Sequence, residues 1–214
     1  MNRRVLYLLG LLAPVIFVFT AILGGALRPD YSHVSDTVSE LFSPGSPNRL
    51  LLTILYILFA ISLSLFGFGL LRFVQIRRKH TRIGSRAAIL FILVGVLNIF
   101  TATIFPQDPW GAPPTFQGEM HMFVSGVISI LSILYMLLFG IWFRRAGISK
   151  SFLIYSLATI VGAILTGGWF AISFGTTIMG ITERMAIFVG FQWTFILSIL
   201  VMRSENNFYS QSSA

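Results

Sequence analysis

His33, Asp36 and Glu40 lie three and four residues apart in segment 30–40, a polar stretch between two long apolar runs. The segment also holds Asp30, so it carries three of the chain's seven acids and one of its three histidines. Read as a helix over 31–43, it places Tyr31, Val34, Val38, Leu41 and Phe42 on one side, and His33, Asp36, Glu40 and Ser43 on the other. An imidazole and two carboxylates on one face could ligate a divalent metal, or set a general base beside the carboxylate that orients it. The same pattern is also that of an interfacial helix with a solvated polar face and local caps. A nucleophilic triad of Ser32, Ser35 or Ser39 with His33 is the weaker idea, because triad members must converge in space and neighbours on one short helix seldom do.

Such a face needs partners, and the sequence offers them at four places. Asp108 lies in a proline-rich link, 105–121, with Glu119, Trp110 and Phe116; the link reads either as a lid or as an interface-anchored turn. His121 opens the fourth apolar run, and Ser125, Ser129 and Ser132 continue its face, so the histidine is expected to point inward as a structural hydrogen-bonder or a ligand. Glu183 and Arg184 open the last run. They read as an interfacial anchor, with the carboxylate favoured by the helix dipole. Alternatively Arg184 turns inward, to bind an anionic headgroup or to pair with Asp36 or Glu40. The candidate catalytic set is His33, Asp36, Glu40 and His121; the candidate substrate-binding set is Asp108, Ser125, Glu183 and Arg184; a divalent metal, if one is used, would sit on His33, Asp36 and His121.

The elements that position these residues follow from composition. The chain has 214 residues, 56% hydrophobic and 10% charged, against roughly 25% charged in a soluble domain. Six stretches are long and apolar enough to cross a bilayer, at about 5–27, 50–71, 87–105, 121–143, 152–173 and 184–202. The expected fold is all-α: a polytopic membrane helix bundle of about six transmembrane helices, with an interfacial helix in the first outer loop. Residues 1–203 form one bundle domain, and 204–214 a disordered tail. The apolar run after Arg3 and Arg4 is too long for a signal core and reads as a retained helix.

Twelve of the fifteen Lys and Arg residues fall on the N-terminal side of the membrane, and only Arg28, Arg49 and Arg184 on the other. That skew puts both termini in the cytoplasm of a multi-pass cell-membrane protein. It also explains the net charge of +8 without nucleic acid, since the basic residues mark helix ends rather than an aromatic-laced patch. Six of the seven acids, and seven of the eight prolines, lie in or beside the outer loops. No charge sits at the centre of any span; Asn98 and Gln192 are the main deep polar groups and read as helix-bridging hydrogen-bonders. The absence of Cys excludes disulfides and thiolate chemistry.

Four stretches carry a family likeness in their order and placement: the 30–41 segment with Asp30, Tyr31, Ser32, His33, Ser35, Asp36, Ser39, Glu40 and Leu41; Phe105, Pro106 and Asp108; His121; and Glu183 with Arg184. Together they resemble the prokaryotic integral membrane family labelled "domain of unknown function 998". The resemblance spans nearly the whole chain. It implies a multispan membrane protein and no particular reaction. The residues themselves favour an outward-facing polar site that acts on or binds a lipid or another anionic small molecule, the bilayer being the one certain partner. Alternatives are a transporter or channel for a small or lipidic solute, and a non-catalytic accessory or sensor.

Overall fold

The computed structural model describes residues 2–212, with side chains described through Asn206. Six α-helices carry the chain: α1 Arg3–Ala26, α2 Arg49–Arg77, α3 Thr81–Thr103, α4 Phe116–Arg145, α5 Ser151–Ser173 and α6 Met179–Ser212. All six contain segments long and apolar enough to cross a membrane. Helices are the expected outcome, because a spanning segment in hydrocarbon must satisfy every backbone N–H and C=O within itself. No strand occurs among the described residues.

Each helix packs on the next in sequence, and α6 returns to pack on α1, so the six form a closed ring. Close approach around the ring depends on small residues. At Gly95 on α3 a Cβ would lie 2.3 Å from Ser64 Oγ and 2.9 Å from Ser64 N on α2. No side chain larger than hydrogen fits there without parting the two helices.

The two ends of the ring differ. At the end holding both termini, Arg3 pairs with Glu205 at 3.2 Å, and Arg77 donates to the carbonyl and hydroxyl of Ser204. The neighbouring half of the interior is solid with aromatic rings: Phe73, Phe139, Trp142, Phe143, Phe152 and Trp193 are all buried and packed edge-to-face or tilted on one another. Trp142 Nε1 donates to the carbonyl of Lys79, so this core also fixes the α2–α3 connection. The other end, the loop end, carries the three connections 27–48, 104–115 and 174–178.

Two expectations are corrected. The segment from Ser204, expected to be a disordered tail, continues α6 as helix through Ser212; residues 213–214 lie outside the described residues. The interfacial helix expected over 31–43 does not form. Residues 31–38 are a series of turns, and only Ser39–Phe42 is a short 3-10 helix. The reason is local competition for the backbone. Asp36 Oδ2 accepts from Ser32 N at 2.8 Å, while Ser32 Oγ accepts from the amides of Val34 and Ser35. The carbonyls of His33, Val34 and Asp36 are all used by α6. The amphipathic pattern is satisfied in a different way: Val38, Leu41 and Phe42 are buried against the bundle core.

Candidate functional site

The loop end is built on the first turns of α6. Ile181 N donates to the carbonyl of Val34 at 3.0 Å. Arg184 Nη1 donates to the carbonyls of His33 and Asp36, each at 2.8 Å, and Nη2 donates to the Tyr31 hydroxyl and to His33 Nδ1. The guanidinium also lies 5.6 Å from the centre of the Tyr31 ring. Glu183 accepts from Val38 N and from Ser39 Oγ. Gly180 makes this docking possible, because a Cβ there would fall 2.4 Å from the carbonyl oxygen of Asp36. The Glu183–Arg184 pair therefore straps the first loop onto α6.

The strap explains the electrostatics of the loop. An arginine can only donate, so His33 Nδ1 carries a lone pair and the ring is neutral. Desolvation, and then the adjacent Arg184 charge, hold its pKa below the ordinary histidine value. Burial raises the Tyr31 phenol well above its usual range, which keeps it as the donor to the carbonyl of Thr37 at 2.8 Å. Glu40 is buried, with Arg28 3.5 Å from Oε1 and no partner for Oε2. Its pKa is raised by burial, with Arg28 opposing the shift.

The second loop has its own closure. Asp108 accepts from the amide and hydroxyl of Thr115, the residue that caps α4. Its carboxylate occupies the space where a side chain at Gly118 would stand. One residue earlier, Gln107 is buried and donates to Thr37 Oγ1 at 3.1 Å, which stitches the second loop to the first.

Beneath the two loops lies a cavity of about 300 Å³. Its polar wall comprises Ser39, Tyr56, Asn98, Thr101, Gln107, His121 and Glu183, and Ser125, Ser129 and Ser132 line it along α4. A chamber of about 50 Å³ shares Ser39, Tyr56, Thr101 and His121 as walls. The apolar wall of the larger cavity includes Phe17, Phe59 and Phe191, which pack edge-to-face on one another. The deep end is at Met136, next to the aromatic core, and Gln192 is not among the lining residues. Gln192 instead bridges α5 and α6 through Thr159 and Tyr155.

The cavity is not sealed on its flank. Met122 and Ser129 of α4 line it and are exposed. Gly167 on α5, which also lines it, has no atom of another segment within 4 Å of where a Cβ would stand. Further toward the termini α4 and α5 pack closely, with Gly140 against Leu153 and Ser156. Nearer the loop end the cavity lies between them, lined by Met122 and Ser129 of α4 and by Ala163, Gly167 and Phe170 of α5.

His121 is 7% exposed. Its Nδ1 lies 2.9 Å from the carbonyl of Phe105 and 3.3 Å from that of Thr101. Carbonyls only accept, so these partners assign the proton to Nδ1 and the lone pair to Nε2. Nε2 has no protein partner among the described residues and is the ring's remaining polar atom in a residue that lines the cavity. Asn98 is anchored through Nδ2 to the carbonyl of Val94 and accepts from the Tyr56 hydroxyl at 2.7 Å.

The structure divides the residues expected at one site. His121, Ser125 and Glu183 share the cavity. His33, Asp36, Glu40, Asp108 and Arg184 do not line it and are engaged in holding the loops. Among the described residues, no group of three or more His, Asp or Glu side chains could hold a metal ion, so the metal set His33, Asp36 and His121 does not assemble. Arg184, expected as the anion binder, spends its donors on loop carbonyls, Tyr31 and His33. Tyr56 and Gln107 line the cavity but were not among the residues expected there. The sequence signals for them were a lone tyrosine in an apolar span and an amide beside Pro106 in a loop otherwise exposed at 110–117.

The family model described as "Protein of unknown function (DUF998)" matches residues 11–200, and the chain belongs to that family. No curated protein and no solved structure matches it.

Proposed function

We propose that this DUF998 protein binds an amphiphile taken from the bilayer, with the chain entering between α4 and α5 and the head lodged in the polar end of the cavity. The carrying observation is the pairing of two features in one place. His121 presents an unpartnered Nε2 on the polar wall of the cavity, and on its flank the lining residues Met122 and Ser129 are exposed and Gly167 has nothing within 4 Å of where a Cβ would stand. Nε2 is reachable from the cavity rather than sealed in protein, so an entering donor finds a free acceptor there. A volume of about 300 Å³ is at the lower end of ligand pockets, and suits a head with the first part of a chain.

In this reading the loop end, and with it the cavity, faces the outer side of the cell membrane and both termini the cytoplasm; the basic skew of the sequence supports that orientation. The aromatic core between the cavity and the terminal end supports a binding pocket in preference to a through-channel.

Ser132→Trp tests the reading, because Ser132 lines the cavity deep on α4. Native mass spectrometry of the purified protein is expected to show a retained amphiphile on wild type and its loss from Ser132→Trp, with similar thermal unfolding for the two. An identical complement of bound molecules on both proteins would overturn it.

A further inference from the structure

We infer that the cavity selects its occupant by head-group charge, taking a cationic or neutral hydrogen-bond donor such as an amine or a hydroxyl and rejecting an anionic head; this rests on the amphiphile-binding reading above. The polar wall holds a surplus of acceptors. Glu183 contributes two carboxylate oxygens, which receive Val38 N and the Ser39 hydroxyl and backbone amide and retain further acceptor capacity. His121 contributes the Nε2 lone pair. Ser39 donates to Glu183, which leaves its oxygen as an acceptor.

Donors and positive charge are scarce in the same space. No Lys or Arg lines the cavity. The nearest arginine in sequence, Arg184, is turned onto the first loop, and Arg28 is paired with Asp30 and Glu40. The hydroxyls of Ser129 and Thr101 donate back to their own helices. A phosphate or carboxylate entering here would meet the buried Glu183 carboxyl, and the one cation near it, Arg184, lies outside the cavity with its donors spent on the first loop, so no basic side chain is there to receive an anion. An ammonium or hydroxyl would instead satisfy Nε2 of His121 and stand beside Glu183. The ammonium adds a charge-assisted hydrogen bond, the stronger kind.

The chain has no cysteine, so Gly167→Cys gives a unique attachment point on the cavity wall where nothing lies within 4 Å of a Cβ. An environment-sensitive fluorophore there, in phosphatidylcholine nanodiscs, reports occupancy by dodecylamine, dodecanol or dodecyl phosphate, scored by mole fraction in the membrane. The expected order is amine, then alcohol, then phosphate, with half-saturation by the amine at a mole fraction at least about tenfold below the phosphate, the worth of one charge-assisted contact. Glu183→Gln, which keeps a carbonyl acceptor for Val38, is expected to erase most of the amine's advantage over the alcohol. Glu119→Gln, an exposed acid outside the cavity, is expected to leave the order unchanged. Saturation by dodecyl phosphate at an equal or lower mole fraction than the amine in wild type would overturn the charge rule alone. Failure of all three chains to saturate the signal would overturn the amphiphile reading beneath it.

Discussion

Gly180→Ala separates a strapped loop from one that merely rests on the bundle. In an exposed helix, Ala is normally more stable than Gly by about 0.5–1 kcal/mol. Here the added Cβ would lie 2.4 Å from the carbonyl oxygen of Asp36, and 2.8 Å from its C and N atoms. All three are backbone atoms, so the loop must lift rather than a side chain turn aside. Lifting it breaks the two 2.8 Å bonds from Arg184 to the carbonyls of His33 and Asp36. Hydrogen bonds from a charged donor are worth about 1.5–3 kcal/mol each, so the lower bound for the pair is about 3 kcal/mol, or about 100-fold in a local opening equilibrium. Hydrogen exchange read at Val38 and Ile181 reports that opening, because Glu183 and the carbonyl of Val34 protect those amides. Exchange at both is expected to quicken about 100-fold, with the α2–α3 core amides unchanged. Unaltered protection at Val38 and Ile181 would refute the claim that Gly180, Glu183 and Arg184 hold the loop.

Three further outcomes follow from the same geometry. His121→Ala removes the donor to the carbonyls of Phe105 and Thr101 and is expected to cost about 1–3 kcal/mol, read as a lowered Tm in detergent. His33 has a depressed pKa in the docked loop, so the undocked state takes the proton more readily. Loop docking is therefore expected to be complete above about pH 6.5 and to weaken as the pH falls below it; exchange at Ile181 compared at pH 7.5 and pH 5 checks this, and His33→Gln should flatten the response. Glu40 shifts the opposite way, raised by burial, so its contribution is present at low pH and lost as pH rises through the folded value. Glu40→Gln is accordingly expected to raise stability at neutral pH by about 1 kcal/mol, and an unchanged or lowered Tm would count against it.

The six membrane helices were legible because length and apolarity alone decide them. The inward aim of His121 was legible too, since Ser125, Ser129 and Ser132 share its face and line the same cavity. The first loop was not. Its 3.6-residue pattern is real, yet Ser32 and Asp36 tie up the local amides, and α6, some 140 residues away in sequence, claims the carbonyls a helix would need. A pattern of side chains does not reveal that competition for the backbone. For the same reason Arg184 read as an anion binder. Its role is set by which carbonyls the loop turns toward it, and that depends on Gly180 admitting the loop to van der Waals range. Gln107 and Thr37 meet across 70 residues, a contact that neither loop's composition could announce.

Photo-cross-linking with an alkyl diazirine amphiphile in membranes, mapped by peptide mass spectrometry, tests the central claim most directly. The cavity reading predicts adducts on Met122, Ser129, Ala163 and Phe170, which line the cavity on α4 and α5, and their loss in Ser132→Trp. Adducts confined to lipid-facing residues such as Ile154, Ile172 and Val15, unaffected by Ser132→Trp, would contradict it.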